Sequence, residues 1–441
     1  MLCATCDLKA KAVFMNFTLY SGFYGCCQCK SRGVSVPAER TTIRVHPYER
    51  NLRLRSNEEI VHQAEVALRE GKPSYGVKGM SRLYHIMPNM VKGMASDVMH
   101  GIFLGLTKLL MKLWFSTAHS NQPYNISHLV DVVDDMLTKI KPPSGVQRVP
   151  RNIKNHLKLW KALEFKLWLQ YYSVPVLTGL LPEEYMNHHL KLVSAIYLLG
   201  GRSVSEEQIE AAVNLLHSYV YEFQQLYGLR FLVMNVHQLL HLGDVVRALG
   251  PTWVYSCFFL EDLNGKLLNL IHGTRHAGLQ VASGASILMN MPNYIQALPN
   301  ESGIRKFCDR MSVRYRLKRT ETFIDKNYVI EIFCENVALN VQLAVQAFLN
   351  VRGSRLQEFR RLQIGATLLC STQYVRLKKK CSAVVSCVSG NRSRLCEINH
   401  FVKWRGCNCE DDVCGCEGKQ FVLEKSLKGR LGRLFKLHVL G

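Results

Sequence analysis

Two pairs of metal-ligand side chains lie far apart in the chain, and together they constrain the fold more than any other feature. Cys26 and Cys29 form a CxxC pair directly after Gly25, in a turn that brings both sulfurs to one side. His237 and His241 are four residues apart, so a helix places both imidazoles on one face. Two thiolates and two imidazoles complete a tetrahedral zinc site. Such a site predicts that the start of the chain is pinned to a helix lying 208 residues after Cys29.

Targeting signals matter for this interpretation, because cysteine chemistry depends on the compartment. Met1 to Phe17 contains no apolar stretch long enough for a signal peptide, and Lys108 and Lys112 interrupt the most apolar run, Gly101 to Phe115. We expect an intracellular protein outside the membrane, in which the 16 cysteines bind metal or pack as small apolar groups. The alternative is a structural helical protein whose Cys and His pairs are unrelated.

The charge balance indicates a polyanionic partner. Lys and Arg number 56 against 34 acidic residues, a formal net charge of +22. Each basic side chain that meets a phosphate releases counterions, which favours a polyanion as the partner; the alternative is a generally basic surface with no specific partner. The candidate DNA-binding side chains lie in two stretches predicted to be helical: Arg148, Arg151, Lys154, Arg305, Lys306, Arg314, Arg316, Lys318 and Arg319. Two further basic runs, Arg376–Lys380 and Lys425–Lys436, lie in a β-prone region.

Two carboxylates are candidates for catalysis. Asp7 follows the short strand-like run Leu2–Cys6, and Glu261 opens an amphipathic segment after Phe258-Phe259-Leu260. The predicted zinc site would bring both carboxylates into one neighbourhood. Carboxylates placed in this way can share divalent metal ions for phosphoryl transfer, one ion activating the attacking oxygen and the other stabilising the leaving oxygen.

The order Asp, CxxC, long helical insertion, HxxxH, Glu resembles the catalytic core of CACTA (En/Spm-type) transposases, which are related to Transib transposases and the V(D)J recombinase. Several phrases carry the resemblance: Asp7-Leu8-Lys9-Ala10-Lys11-Ala12, Gly22-Phe23-Tyr24-Gly25-Cys26, Ser96-Asp97-Val98-Met99-His100-Gly101, Trp160-Lys161-Ala162-Leu163-Glu164, Asn235-Val236-His237, Gly250-Pro251-Thr252-Trp253 and Phe258-Phe259-Leu260-Glu261. It covers roughly residues 1 to 300.

The resemblance implies DNA as the partner, the nucleus as the location and a role for each matching residue. Asp7 would be the second and Glu261 the third carboxylate of an RNase H-like DDE triad. Zinc, a structural ion, would be bound by Cys26, Cys29, His237 and His241. Asp97 and His100 match a recurrent motif of the family, for which helix capping is the simpler interpretation.

The family places its first catalytic Asp on a strand well before the position of Asp7. Only six residues precede Asp7 in this sequence, and Lys9 stands where a small residue or proline is usual. We expect an N-terminally truncated, inactive remnant that binds DNA without cutting it. The alternative is an active transposase that uses Mg²⁺ or Mn²⁺ once upstream sequence or another chain supplies the missing Asp.

A second zinc site is possible near the C-terminus. Two CxC units, Cys407 with Cys409 and Cys414 with Cys416, could wrap one ion. Their spacing differs from the common CxxC knuckle, and an exposed acidic loop is the alternative.

The expected fold is mainly α with α/β: an incomplete RNase H-like core interrupted by a large all-α insertion, followed by a small all-β C-terminal domain. Helical spacing from Ser205 to Gly228, with a Ser205–Gln208 capping box, is the clearest single helix. Arg151 to Tyr172 and 300–352 are also predicted to be helical. The predicted domains are residues 1–50 (partial core with CxxC), 51–230 (helical insertion), 231–300 (HxxxH and Glu261), 301–354 (basic helical segment) and 355–441 (β-rich). A homodimer or higher oligomer is expected.

Overall fold

The computed structural model describes residues 3–38, 41–87, 89–143, 145–312, 320–322, 328–334, 337–339, 341–343, 355–364, 367–374, 379–389, 392–405, 419–426 and 433–436. The protein is mainly helical, with a small antiparallel sheet domain at its C-terminus. Two compact units divide the chain: Met1–Lys139 with Pro150–Ala285, and Ile140–Val149 with Ser286–Gly441.

The helices begin close to the N-terminus. They are α1 (Leu8–Phe14), α2 (Asn57–Glu70), α3 (Met90–Gly93), α4 (Lys108–Phe115), α5 (Val130–Lys139), α6 (Ile153–His156), α7 (Ala162–Leu167), α8 (Ser173–Leu177), α9 (Glu183–Leu199), α10 (Glu206–Tyr227), α11 (Met234–His237), α12 (Leu242–Leu249), α13 (Cys257–Leu268), α14 (Ala277–Ala297) and α15 (Gly303–Ser312). Short 3₁₀ turns occupy Arg82–His85, Thr117–His119, Ser127–Leu129, Leu157–Leu159, Leu229–Phe231 and Gln238–His241, and π-helical turns occupy Met99–Thr107 and Trp168–Tyr172. None of the helices described is both long enough and apolar enough to cross a bilayer.

The ends of the long helices follow from local sequence. Ser205 caps α10 by accepting a hydrogen bond from the Gln208 N–H, and the Gln208 side chain accepts one from the Ser205 N–H in return. Gly228 ends the helix with a φ of 90°, a backbone angle that favours glycine. The sequence prediction for this helix is therefore confirmed.

The core of the first unit forms where α9 packs along α10. Tyr219 and Phe223 on α10 are fully buried, and the His188 ring stacks on Tyr219 with 4.0 Å between ring centroids. The His188 Nε2 atom also lies 2.9 Å from the Tyr219 carbonyl oxygen, and burial lowers the pKa of His188 to about 4. This neutral histidine is a packing residue.

The prediction of regular helix from Arg151 to Tyr172 is wrong in part. The segment is broken into α6, a 3₁₀ turn, α7 and a π-helical turn, with extended backbone at Trp160. The buried carboxylate of Glu164 explains the break, because it accepts hydrogen bonds from the Lys161 N–H and from the Arg151 guanidinium. These bonds fold the chain back on itself before α7 starts.

Two strands of the first unit form a hairpin close to the CxxC turn: β1 (Val34–Pro37) and β2 (Thr42–Val45), paired antiparallel. The second unit contains an antiparallel sheet in the order β10-β9-β8-β5-β4-β3, with β6 beside β5 and β7 beside β8. Its strands are β3 (Thr320–Thr322), β4 (Tyr328–Cys334), β5 (Arg355–Ile364), β6 (Thr367–Cys370), β7 (Val384–Ser389), β8 (Arg392–Arg405), β9 (Lys419–Ser426) and β10 (Arg433–Lys436).

The sheet confirms the predicted β character of the C-terminal region. The rings of Phe359 on β5 and Phe401 on β8 face each other in register and stack, with 5.1 Å between centroids. The prediction of continuing helix across 300–352 is wrong at Thr320–Thr322 and Tyr328–Cys334, where β3 and β4 form, whereas the backbone is helical at Leu339 and at residues 341–343. The β4 sequence, Tyr328-Val-Ile-Glu-Ile-Phe-Cys334, is rich in β-branched and aromatic residues, which fit a sheet surface.

The contact between α10 and α12 gives a first testable prediction. A Cβ atom at Gly243 would lie 2.2 Å from Val213 Cγ2, whereas a Cβ at Gly265 in α13 meets nothing within 4 Å. Gly243→Ala should therefore lower the free energy of unfolding by roughly 1–3 kcal/mol through overpacking. The control Gly265→Ala should raise it by about 0.5–1 kcal/mol, since it only removes backbone entropy from the unfolded chain. Denaturant titration measures both, and a neutral Gly243→Ala variant would contradict the close approach.

Candidate metal centre

The cysteine half-site is a tight turn held by backbone contacts. A Cβ at Gly25 would lie 2.7 Å from the Tyr20 carbonyl oxygen, so glycine permits the turn that precedes Cys26. After the turn, Cys29 pairs with Leu54 in an antiparallel bridge. Both sulfur-bearing residues are buried, Cys29 completely.

The histidine half-site lies at a junction of two helical turns. His237 is the last residue of α11, and His241 is the last residue of the following 3₁₀ turn. Both rings are buried, and their Nε2 atoms lie 3.3 Å apart. The spacing of the two histidines therefore brings their Nε2 atoms close enough to bind one ion.

The two half-sites meet. Cys26 Sγ lies 3.5 Å from His241 Nε2, and Cys29 Sγ lies 3.3 Å from His237 Nε2; all four ligand atoms lie within 4.8 Å of one another. With Zn–S bonds of about 2.3 Å and Zn–N bonds of about 2.0–2.1 Å, a tetrahedron has S···N edges near ~3.5 Å and N···N edges near ~3.3 Å. The distances between these side chains fit a buried metal ion such as zinc.

The protonation of the sulfurs suits metal binding. A hydrogen bond with Cys29 and the two nearby imidazoles hold the pKa of Cys26 well below its ordinary value, against the effect of burial. The same contact, together with burial, raises the pKa of Cys29. A divalent cation binds these sulfurs as thiolates, so its binding releases any proton that they carry.

Arg55 supports the cysteine turn, and nothing in the sequence distinguished it from its basic neighbours. Its buried guanidinium donates to the carbonyl oxygens of Cys26 (3.1 Å), Cys29 (2.9 Å) and Tyr75 (2.7 Å), and to Gln63 Oε1 (2.9 Å). A planar group with several fixed donors can hold these acceptors in one arrangement. Arg55 thus orients the carbonyls of both metal-ligand cysteines.

His46 is the second residue that sequence reasoning missed. Its ring lies against that of His237, with 4.8 Å between centroids, and burial lowers its pKa to about 4. A neutral ring next to a ligand histidine limits how far that ligand can rotate. Among the described residues, no acceptor reaches the Nδ1 atoms of His237 and His241, so packing of this kind orients them.

A second cluster surrounds Asp97, in the Ser96–Gly101 motif. The Asp97 carboxylate accepts hydrogen bonds from the backbone N–H groups of Met99, His100 and Cys257 and from His100 Nδ1 at 2.6 Å. Burial alone would raise the pKa of Asp97, but these bonds lower it. The predicted helix-capping role is confirmed, and it extends to two helical starts, Met99 and Cys257.

His100 connects this cluster to Glu261. Its hydrogen bond with Asp97 raises the pKa of His100 to about 10. Its Nε2 atom lies 3.6 Å from Glu261 Oε1, in a side chain that is 59% exposed. A buried carboxylate therefore orients a cationic imidazole beside an exposed acid.

The Asp97, His100 and Cys257 ligand atoms also lie within 4.8 Å of one another, but they fit a metal poorly. Both carboxylate oxygens of Asp97 already accept two hydrogen bonds each, which uses the acceptor capacity of a carboxylate. Burial raises the pKa of Cys257, which keeps its sulfur protonated. The cluster is better described as a hydrogen-bonded acid–base pair.

Asp7 caps α1 by accepting a hydrogen bond from the Ala10 N–H at 2.7 Å. The nearby Thr5 Oγ1 lies 3.7 Å from Cys257 Sγ, one helical turn before Glu261. A groove of about 480 Å³ separates the two segments, with Thr5 and Cys6 on one side and Phe259 and Leu260 on the other. Among the described residues, neither Asp7 nor Glu261 belongs to a cluster of potential metal ligands, and their catalytic roles stay predictions.

Several basic side chains predicted to contact DNA bind acidic or carbonyl groups of the protein. Arg151 forms a two-point ion pair with the buried Glu164, at 2.6 and 2.8 Å, and Lys154 bonds Asp131 at 2.9 Å. Arg305 donates to the Ile295 carbonyl oxygen at 2.7 Å, and Lys306 pairs with Glu301 at 2.9 Å. The side chain of Arg148 is exposed, and this residue lies outside the helices.

The remaining candidates for DNA and zinc binding lie outside the described residues: Arg314, Arg316, Lys318 and Arg319, and the proposed second zinc ligands Cys407, Cys409, Cys414 and Cys416. Comparison of the whole chain with protein-family models and with curated proteins finds no match. The site geometry is therefore the main guide to function.

Removing the charge of Asp97 tests the acid–base pair. In Asp97→Asn, the amide cannot accept both bonds from His100, so the pKa of His100 should fall from about 10 towards 6.5. The unfolding free energy should drop by roughly 1–3 kcal/mol. NMR titration of the His100 ring measures the pKa, and Asp262→Asn, an exposed acid paired with Lys266, is the matched control.

The sign of the pH dependence follows from the raised pKa. The pair stabilises the folded state fully below pH 6.5, and this contribution is lost as the pH rises towards 10. The difference in stability between the native protein and Asp97→Asn should therefore shrink at alkaline pH. A His100 pKa near 6.5 in the native protein would contradict the ion pair.

Proposed function

We propose that this chain is a zinc- and DNA-binding protein derived from a DDE cut-and-paste transposase of the CACTA type. One observation carries the proposal: a CxxC pair and an HxxxH pair from opposite ends of a 208-residue interval meet at tetrahedral distances. These four residues are also the zinc ligands that the resemblance implies. Two unrelated pairs would have no reason to meet.

Zinc is the proposed ion because of the donor set. Two thiolates and two imidazoles suit a borderline-soft cation with tetrahedral preference, whereas Mg²⁺ and Ca²⁺ prefer oxygen ligands. The four ligands are buried, so the site has no open position for substrate or water. We therefore assign the ion a structural role.

The transposase ancestry is supported by what the metal centre brings together. The segment that ends at Asp7 contacts the start of α13, which carries Glu261 exposed to solvent. An RNase H-like core would use these two positions for its second and third carboxylates. The proposed core and its helical insertion rest on this placement and on the motif order.

DNA binding without cleavage is the proposed activity. The net charge of +22 favours a polyanion, whereas two-metal cleavage needs carboxylates that share ions. Within the described residues, no cluster of three or more potential ligands includes Asp7 or Glu261. A completed triad, with its first Asp supplied by further sequence, would change the assignment to an active transposase that uses Mg²⁺ or Mn²⁺.

Zinc content provides the first test of the proposal. The purified protein should contain about one zinc per tetrahedral site, and Cys26→Ala and His237→Ala should each abolish that same ion. Cys27→Ala is the matched control, because Cys27 is buried beside the turn and lies outside the ligand cluster. Metal analysis and the absorption spectrum of the cobalt-substituted protein measure the outcome. Zinc retained in either ligand variant would favour the structural protein with unrelated pairs.

Acid should release the ion, because binding needs two thiolates and two neutral imidazoles. We expect zinc loss and unfolding to occur together as the pH falls below about 6, where histidine protonates. A chelator should lower the thermal midpoint at neutral pH in the same way. A midpoint that does not respond to chelation would argue against a structural ion.

Cleavage assays separate the binding protein from the enzyme. The protein should bind duplex DNA with an affinity that falls steeply with salt, and should not nick it in Mg²⁺ or Mn²⁺. Strand cleavage that is lost in Glu261→Gln would instead establish the active transposase.

A further inference from the structure

The segment from Lys30 to Arg55 is more basic than its surroundings. It contains seven Lys or Arg residues and only two acids, Glu39 and Glu49. Glu49 is already engaged as the acceptor of a hydrogen bond from Ser31 at 2.7 Å. The β1–β2 hairpin lies in the middle of this segment, and it was not among the candidate DNA-binding regions.

Two arginines of this segment are arranged on one aromatic ring. The Arg44 guanidinium carbon lies 3.6 Å from the Phe23 ring centroid, and the Arg32 guanidinium carbon lies 5.0 Å from it. Phe23 is 47% exposed, so the cluster is open to solvent. Stacking on an aromatic face holds a guanidinium in place and leaves its in-plane N–H groups available.

The surrounding chain fixes Arg44 further. Its NH1 group donates to Ser35 Oγ at 2.7 Å, and its Nε donates to the Ser21 carbonyl oxygen at 3.4 Å. A Cβ at Gly33 would lie 2.7 Å from Arg44 Cδ, so the glycine provides the space through which this side chain passes. The guanidinium is preorganised before any ligand arrives, which lowers the entropy lost on binding.

No acidic side chain in the described part of the protein forms an ion pair with Arg32, Arg44 or Arg50. This distinguishes the hairpin from the predicted basic stretch, where Arg151 and Lys154 bind Glu164 and Asp131. Unneutralised guanidinium groups that share one surface attract phosphates, and arginine can bind a phosphate through two parallel hydrogen bonds.

The hairpin is also attached to the metal centre. Cys29 and Leu54 pair at its base, the Lys30 N–H donates to the Arg53 carbonyl oxygen at 2.8 Å, and the His46 ring lies on that of His237. These contacts connect both ends of the segment to the residues around the candidate metal ligands, whereas Arg32 and Arg44 themselves are not among those ligands.

We propose that Arg32 and Arg44, stacked on Phe23, form a contact site for the sugar–phosphate backbone of duplex DNA. The inference rests on the proposed DNA-binding function and identifies the surface of the protein that would contact DNA. The contact is to phosphates and carries no base recognition, because two stacked guanidinium groups offer charge and hydrogen bonds with no groove-specific pattern.

The test uses the double variant Arg32→Gln/Arg44→Gln of the full chain. Affinity for a duplex DNA should fall on the order of tenfold at about 0.1 M salt, and the slope of log K against log salt should decrease by about 2, one counterion for each lost contact. Arg32→Lys/Arg44→Lys keeps both charges, so its slope should equal that of the native protein. Zinc content should be unchanged in both variants.

The control removes two charges elsewhere. Lys72→Gln/Arg202→Gln changes exposed side chains by the same net charge, and it should keep the native salt slope. Equal losses in the control and in Arg32→Gln/Arg44→Gln would overturn the proposal, since bulk charge would then explain binding. A salt slope in Arg32→Lys/Arg44→Lys that falls as far as in Arg32→Gln/Arg44→Gln would also overturn the proposal.

An RNA duplex of the same length is the competing ligand. If Arg32→Gln/Arg44→Gln weakens RNA binding while DNA binding stays unchanged, the DNA contact is wrong. If the native protein contains zinc and binds DNA, but Arg32→Gln/Arg44→Gln binds DNA equally well, only this inference fails. A native protein without zinc or DNA affinity would instead refute the proposed function.

Discussion

The meeting of Cys26, Cys29, His237 and His241 joins segments that lie 208 residues apart, and a metal ion bound there would close that loop. A covalent cross-link of that span would remove on the order of 5 kcal/mol of loop entropy from the unfolded chain. Other contacts between distant segments accompany this one. The segment before α1 lies against the start of α13, and the His46 ring, which follows the basic hairpin, lies against that of His237. The candidate catalytic and DNA-contact positions therefore belong to the same unit as the buried Cys/His cluster.

Sequence reasoning succeeded where chemistry restricts spacing. CxxC and HxxxH are recognisable because a tetrahedral ion accepts few ligand spacings, and the Ser205 cap is recognisable because a capping box is local. It failed where long-range contacts decide. The break near Trp160 depends on a buried carboxylate at Glu164, and Arg55 differs from other basic residues only through the carbonyl groups that surround it. The helix predicted past Ser312 fails at β4, whose strand partner β5 begins only at Arg355.

The two clusters of titratable residues in the first unit differ in where their charges lie. In the metal centre, two anionic sulfurs would balance a divalent cation, and the buried Arg55 lies beside carbonyl dipoles instead of a carboxylate. In the Asp97 cluster, a buried anion stabilises an imidazolium that reaches the surface next to Glu261. The first cluster is closed and suits a structural role, whereas the second presents charge to solvent and suits contact with a charged partner.

The hydrogen bonds of Asp97 have a consequence for the architecture. The same carboxylate binds the chain at Met99 and again at Cys257, 160 residues after Asp97. The chain between Met99 and Cys257 therefore begins and ends beside the same carboxylate. Insertions, deletions or exchange of material between Met99 and His237 would leave the entrance and exit in place, in the way that a domain with adjacent termini can be grafted into a host. The helical region that precedes the two histidines is in this sense a replaceable module, and Asp97 is its attachment point.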